Sequence, residues 1–180
     1  MAGFLPDTSC VVAALCAWHE HHAAAVDEVN RRLERREPLL VAAPALVEAY
    51  AVLTRLPPPH RLSPDDALDL LDTNYLQPGK VLTLGGRAYR VLLHSAPERG
   101  IVGGRVYDAV ILECAIRGTA TALLTFNERD FAPLACCSSE ADPLHATTAG
   151  PMASGASPAA ARRRSSTARR ATESAMDWRG

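Results

Sequence analysis

Four acidic side chains occupy positions where packing alone would not ask for them. Asp7 ends the apolar run FLP and precedes CVVAALCAW, so it falls between two segments apolar enough to be core. A charge placed there is costly unless it is neutralised or hydrated. Glu48 lies in PALVEAYAVL between Val47 and Ala49, on a helical pattern that is otherwise apolar or small. Asp108 lies in RVYDAVILECA between Tyr107 and Ala109, near the start of another nearly uncharged helix, and Asn127 and Asp130 follow the run TALLTF. Each has a plain alternative. Asp7 caps the next helix, Glu48 sits on an exposed stripe, Asp108 favours a helix dipole, and Asp130 belongs to a turn. Taken together they point elsewhere, because strand ends and helix faces of a parallel α/β layer converge on one edge of the sheet. Clustered carboxylates repel and raise one another's pKa unless a cation stands among them. Hard oxygen ligands without paired Cys or His suit Mg²⁺ or Mn²⁺, held directly through one or two carboxylates with water completing the shell. Such an ion acidifies a water and shields charge building on a phosphate, which is the chemistry of phosphodiester hydrolysis.

The elements that must position these residues alternate in type. FLPD reads as a short strand and TSCVVAALCAW as a buried helix, with Thr8 or Ser9 placed to cap it. HHAAAVDEVNRRLERR is an amphipathic helix stopped by Pro38, LLVAA a buried strand, and PALVEAYAVLTRL a helix entered at Pro44 and ended by the proline triplet 57–59. Ser63 opens the helix SPDDALDLLDTNYL. KVLTL reads as a strand, RAYRVLLHSAPERG as a helix broken at Pro97, and RVYDAVILECAIRG as a helix stopped by Gly118. TALLTF is a further strand, and NERDFAPL turns into a short helix. Strands alternating with helices predict an α/β fold with a central parallel sheet.

Composition limits the alternatives. A chain of 180 residues with 48% hydrophobic residues can bury a proper core. Residues 1–135 carry thirteen Lys/Arg against sixteen Asp/Glu, so this body is not a charge-driven nucleic-acid binder. No apolar run is long enough for a membrane span, and the basic start of a secretion signal is missing, so a cytoplasmic protein without membrane association is expected. The five cysteines show no repeated CxxC spacing and read as small hydrophobes rather than as a disulfide or zinc framework. Residues 136–180 hold a single member of the set Val, Ile, Leu, Phe and Tyr, namely Leu144, so a domain over 1–135 with a disordered Ala/Ser/Arg-rich tail is expected. The cluster His19, His21 and His22 lacks the four-residue spacing of a helical metal site and reads as a solvated helix start. GKVLTLGG lacks the phosphate-loop pattern.

In order and spacing, FLPDTSCVVAAL, APALVEAYAVLTRLP, GGRVYDAVILECAIRG and LLTFNERDFAPL resemble the PIN-domain ribonucleases, most closely the VapC-type toxins of bacterial type II toxin-antitoxin systems. The resemblance covers about residues 3–135 and implies a three-layer α/β fold. It implies a Mg²⁺-dependent endoribonuclease, with Mn²⁺ as the alternative ion, that cleaves single-stranded RNA, is inhibited by a small cognate antitoxin, and forms a homodimer. The family's acidic positions carry over to Asp7, Glu48 and Asp108, with Asp7 and Asp108 as direct metal ligands. Asn127 matches the fourth place, and Asp130 is the nearby acid that could substitute for it. Thr8, Ser9, Thr125 and Asn127 would orient the carboxylates. Arg87, Arg90 and Arg105 are candidates for phosphate contact. Family members continue with a hydrophobic edge strand where this chain has ACCSSEADPLHATTAG, so that strand is expected to be lost. Two other readings remain open: a related metal-dependent DNA phosphoesterase, and an inactive copy that only binds antitoxin.

Overall fold

The computed structural model of the chain describes residues 3–136 and 145–148. Five strands, β1 (Gly3–Pro6), β2 (Leu40–Ala42), β3 (Lys80–Leu82), β4 (Ala120–Thr125) and β5 (His145–Thr148), alternate with helices. β1, β4 and β5 pair in that order, β2 pairs with β3, and every pairing is parallel. A parallel bridge between Phe4 and Leu39 and a 3.0 Å hydrogen bond from Phe4 N–H to the Pro38 carbonyl join the two ladders. The resulting order is β3-β2-β1-β4-β5. At this junction a side chain on Gly3 would collide with the Pro38 carbonyl, so glycine lets the two backbones meet.

Helices cover both faces. Along each inner strand successive residues divide between two apolar clusters: Phe4, Val41 and Leu124 face one, and Leu5, Leu40 and Leu123 the other. The period of two in side-chain direction makes these the opposite sides of one sheet. The first side is packed by α1 (Thr8–Leu15), α2 (His22–Glu34), α3 (Ala43–Arg55) and α4 (Pro64–Leu71), whose last turn widens over Asp72–Leu76. The second is packed by α5 (Gly86–Ser95), α6 (Arg105–Arg117) and α7 (Glu128–Cys136). This is the expected α/β architecture of three layers.

Local signals explain most boundaries. Ser63 Oγ accepts the Asp66 N–H and starts α4, Pro44 lies in the first turn of α3, and Gly118 ends α6. Three expectations change. The cap of α1 is Asp7, whose carboxylate accepts the Cys10 N–H, and not Thr8 or Ser9. α1 ends at Leu15 instead of running through Trp18, because the backbone of Cys16 turns extended and takes the chain out of the helix. The sheet edge beyond β4 is filled, since His145–Thr148 pairs with Ala122–Thr125 in register. A strand of polar and small residues satisfies the same backbone donors and acceptors as a hydrophobic one would, and it carries the sheet past residue 135. The expected disorder of the tail falls, over 137–144 and beyond Thr148, outside the described residues. Cys10, Cys16 and Cys114 are buried free thiols.

Candidate active site

The register of β1 against β4 sets Pro6 beside Leu124, and the Asp7 N–H donates to the Leu124 carbonyl at 2.9 Å. The first residue after β1 therefore meets the last residue of β4. Asp7 is buried, and its carboxylate collects three donors: the Ser9 hydroxyl at 2.7 Å and the Cys10 N–H at 2.8 Å on Oδ1, and the Thr125 hydroxyl at 2.7 Å on Oδ2. Both hydroxyls are themselves oriented from behind. The Phe126 N–H donates to Ser9 Oγ at 3.0 Å and the Asn127 N–H to Thr125 Oγ1 at 2.8 Å, so each hydroxyl proton is left to point at Asp7. A carboxylate offers about four acceptor places. Three are taken, and the free one is on Oδ2.

The other acids arrive from helices. Glu48 projects from an exposed position on α3 and accepts the Thr8 hydroxyl at 2.7 Å, which ties α3 to the first turn of α1. Asp108 lies half-buried in the first turn of α6, and Asp130 in the first turn of α7, where its N–H closes on the Asn127 carbonyl at 3.0 Å. Their charges act on one another. Burial first, then the charges of Asp130, Asp7 and Glu48, push the Asp108 carboxyl up to about 6, with Arg105 opposing. Burial also raises Asp7 against the pull of its three donors, and Glu48 adds to the rise. The four expected acids are thus brought to the carboxyl ends of β1 and β4. Ionising all of them without a counter-charge is unfavourable.

The donor set fits a hard divalent cation in chemistry. Among the described residues no three His, Cys, Asp or Glu side chains stand close enough to enclose an ion directly, so the fit is to one or two carboxylates with water completing the shell. Thr8, Ser9 and Thr125 stand where orientation of the acids requires them. Asn127 joins through its backbone N–H, which residue type alone does not foretell. Of the three arginines, Arg105 is the one whose charge lowers Asp108, and its Nε is buried without a hydrogen-bond partner. Arg87 and Arg90 lie exposed on α5. The Cys10 and Phe126 N–H groups were not among the expected participants, and no side-chain signal marks a backbone donor.

A profile described as PIN domain matches residues 4–135. Ribonuclease VapC40 of Mycobacterium tuberculosis is 41% identical over 110 residues, 59% of this chain and 73% of the relative. Ribonuclease VapC27 of the same organism is 39% identical over 105 residues, 58% of this chain and 71% of the relative. Among solved structures, VapC20 of Mycobacterium tuberculosis, described as a sarcin-ricin loop cleaving toxin, aligns with a TM-score of 0.56 at 15% identity over 72% of this chain and 94% of that one. VapBC2 from Rickettsia felis, solved with a DNA fragment from its promoter, aligns with a TM-score of 0.53 at 18% identity over 72% and 90% of the two chains. The structural matches speak for the fold, and the curated relatives carry the kinship in sequence: the chain belongs to the PIN-domain family, among its VapC-type members.

Proposed function

We propose that the chain is an endoribonuclease that cleaves single-stranded RNA with Mg²⁺, or Mn²⁺ in its place, as the toxin of a toxin-antitoxin pair. The observation that carries this reading is the gathering of Asp7, Glu48 and Asp130 around Asp108, whose carboxyl is pushed up to about 6 by burial first and by their charges second. Acids gathered at a strand edge against their own repulsion suit a site that operates with a cation among them. Asp7 and Asp108 would hold the ion directly, Asp7 through its free place on Oδ2. When bound, the ion would supply an acidified water and shield charge building on the phosphate.

The remaining roles belong to this chain's own groups. Ser9 and Thr125 keep Asp7 from rotating away, so its free lone pair stays aimed. Glu48, steadied by Thr8, assists through water, and Asp130 with Asn127 completes the polar rim. Arg105, with an unpartnered donor beside the acids, contacts a substrate phosphate, and Arg87 and Arg90 extend that contact along the strand. A small antitoxin restrains the activity, and a second copy pairs through α3 and α4.

The test is cleavage of single-stranded RNA by the purified chain with and without Mg²⁺, beside Asp7→Asn and Asp108→Asn. Cleavage that needs the ion and both acids is expected. Activity that survives both substitutions overturns the reading.

A further inference from the structure

The stretch WHEHH holds more aromatic rings than a solvated helix start needs, and the fold sets them in a row. The rings of Trp18 and His60 lie 4.1 Å apart, centre to centre, at 30°. Trp18 and His19 are 5.9 Å apart at 45°, and His19 and His21 are 5.6 Å apart at 48°. His21 then stacks on Phe126 at 4.5 Å and 13°, close to parallel. Three distant segments contribute: the turn between α1 and α2, the residue after the proline triplet, and the residue after β4.

The row has a fixed end and an open end. Phe126 packs against the apolar cluster under α1 to α4, and its N–H donates to the Ser9 hydroxyl that holds Asp7. The row therefore begins one residue from Thr125, at the acidic site. Its far end is Trp18, which leaves 49% of its surface open, with the His60 ring beside it. Between them, the His21 N–H donates to His19 Nδ1 at 3.1 Å and holds that imidazole in place.

The geometry points to this row as a stacking platform for the unpaired bases of an RNA strand whose phosphate reaches the acids; this placement rests on the ribonuclease reading above. Charge decides in its favour. Attraction of a nucleic-acid backbone scales with the phosphates neutralised, and the body of this chain has three more acids than bases over residues 1–135. Affinity for a strand must come largely from another source. Aromatic faces supply it for any base, and only for bases already free of a duplex.

The test uses the full chain carrying Trp178→Phe, which leaves Trp18 as the sole indole. It is titrated in EDTA with a short oligouridylate and with an abasic ribose-phosphate oligomer of equal length. We expect oligouridylate to quench the Trp18 emission and bind more tightly than the abasic oligomer. In the otherwise unaltered chain, Trp18→Ala should weaken oligouridylate binding roughly tenfold without changing the abasic oligomer. Trp18→Phe should restore most of the affinity, and His60→Ala, which removes the ring beside Trp18, should lose part of it. Melting curves identify any variant that fails to fold. Unchanged oligouridylate affinity in folded Trp18→Ala, or equal binding of the abasic oligomer to the unaltered chain, overturns the platform. Binding is read without cleavage, so the two readings fail separately. A chain that binds through Trp18 but never cleaves refutes the ribonuclease and keeps the platform; cleavage with unchanged affinity and KM in Trp18→Ala does the reverse.

Discussion

At the scale of residues, the plain reading of Asp7 as a helix cap holds without exhausting what its carboxylate touches. Its carboxylate caps α1 through the Cys10 N–H, yet it also takes a hydroxyl from Thr125, 118 residues away. Replacing Thr125 with valine keeps the shape but strands the Asn127 N–H and removes the donor on Oδ2. A loss of about 1–3 kcal/mol is expected in urea unfolding, with Thr125→Ser recovering most of it. Asp108 gives a pH signature. Its folded pKa of about 6 lies above the ordinary aspartate value of 3.8, so between those values the folded chain holds more protons than the unfolded one. Stability of the ion-free protein should therefore fall as pH rises through that window and level off above it. Asp108→Asn removes this term: its melting temperature should exceed that of the unaltered chain at pH above about 7 and match it near pH 4. Added Mg²⁺ should raise the melting temperature of the unaltered chain at the higher pH and much less at the lower. An advantage of Asp108→Asn that is equal at both pH values would contradict this account. The acids were legible in the sequence because a charge within an apolar run stands out. The hydroxyl and backbone donors were not, because their role depends on which strands meet.

At the scale of elements, caps and breakers were read correctly where the signal is local, as at Ser63, Pro44 and Gly118. The end of α1 was not. CAW continues the apolar pattern, but Trp18 belongs to the aromatic row, and the sequence does not announce rings from other segments. β5 escaped for a related reason. HATT has no alternating apolar pattern, and its pairing is specified by the free edge of β4. α7 links packing to chemistry most directly, because Phe131 and Leu134 anchor it in the core while Asp130 stands one residue before Phe131. Truncating the fully buried Phe131 to alanine should cost about 3–5 kcal/mol by chemical denaturation. If Asp130 contributes to the site, cleavage should also fall under conditions where the variant remains folded. Unchanged cleavage in folded Phe131→Ala would remove Asp130 from the site.

At the scale of the whole molecule, three layers let short elements gather acids from four separate parts of the chain at one edge, and they leave other faces to be accounted for. No helix among the described residues is long and apolar enough to cross a membrane, so exposed apolar residues are not explained by a membrane span. α3 and α4 pack together and leave Val47 at 71%, Tyr50 at 37% and Leu68 at 51% exposure, with Leu76 at 38% just beyond. Isolated apolar side chains in water are ordinary, but several carried on two adjoining helices suit a contact between copies. A symmetric pairing would set the same residues of both copies against each other. A mass twice the 19.2 kDa of one chain is then expected by light scattering at micromolar concentration. Leu68→Glu would place a carboxylate from each copy in an apolar contact, where desolvation and like charge both oppose association. The variant should shift to the monomeric mass. Because Leu68 lies outside the acids and the aromatic row, its RNA binding would remain. A chain that is monomeric before any substitution would remove the pairing and leave the carboxylate site untouched.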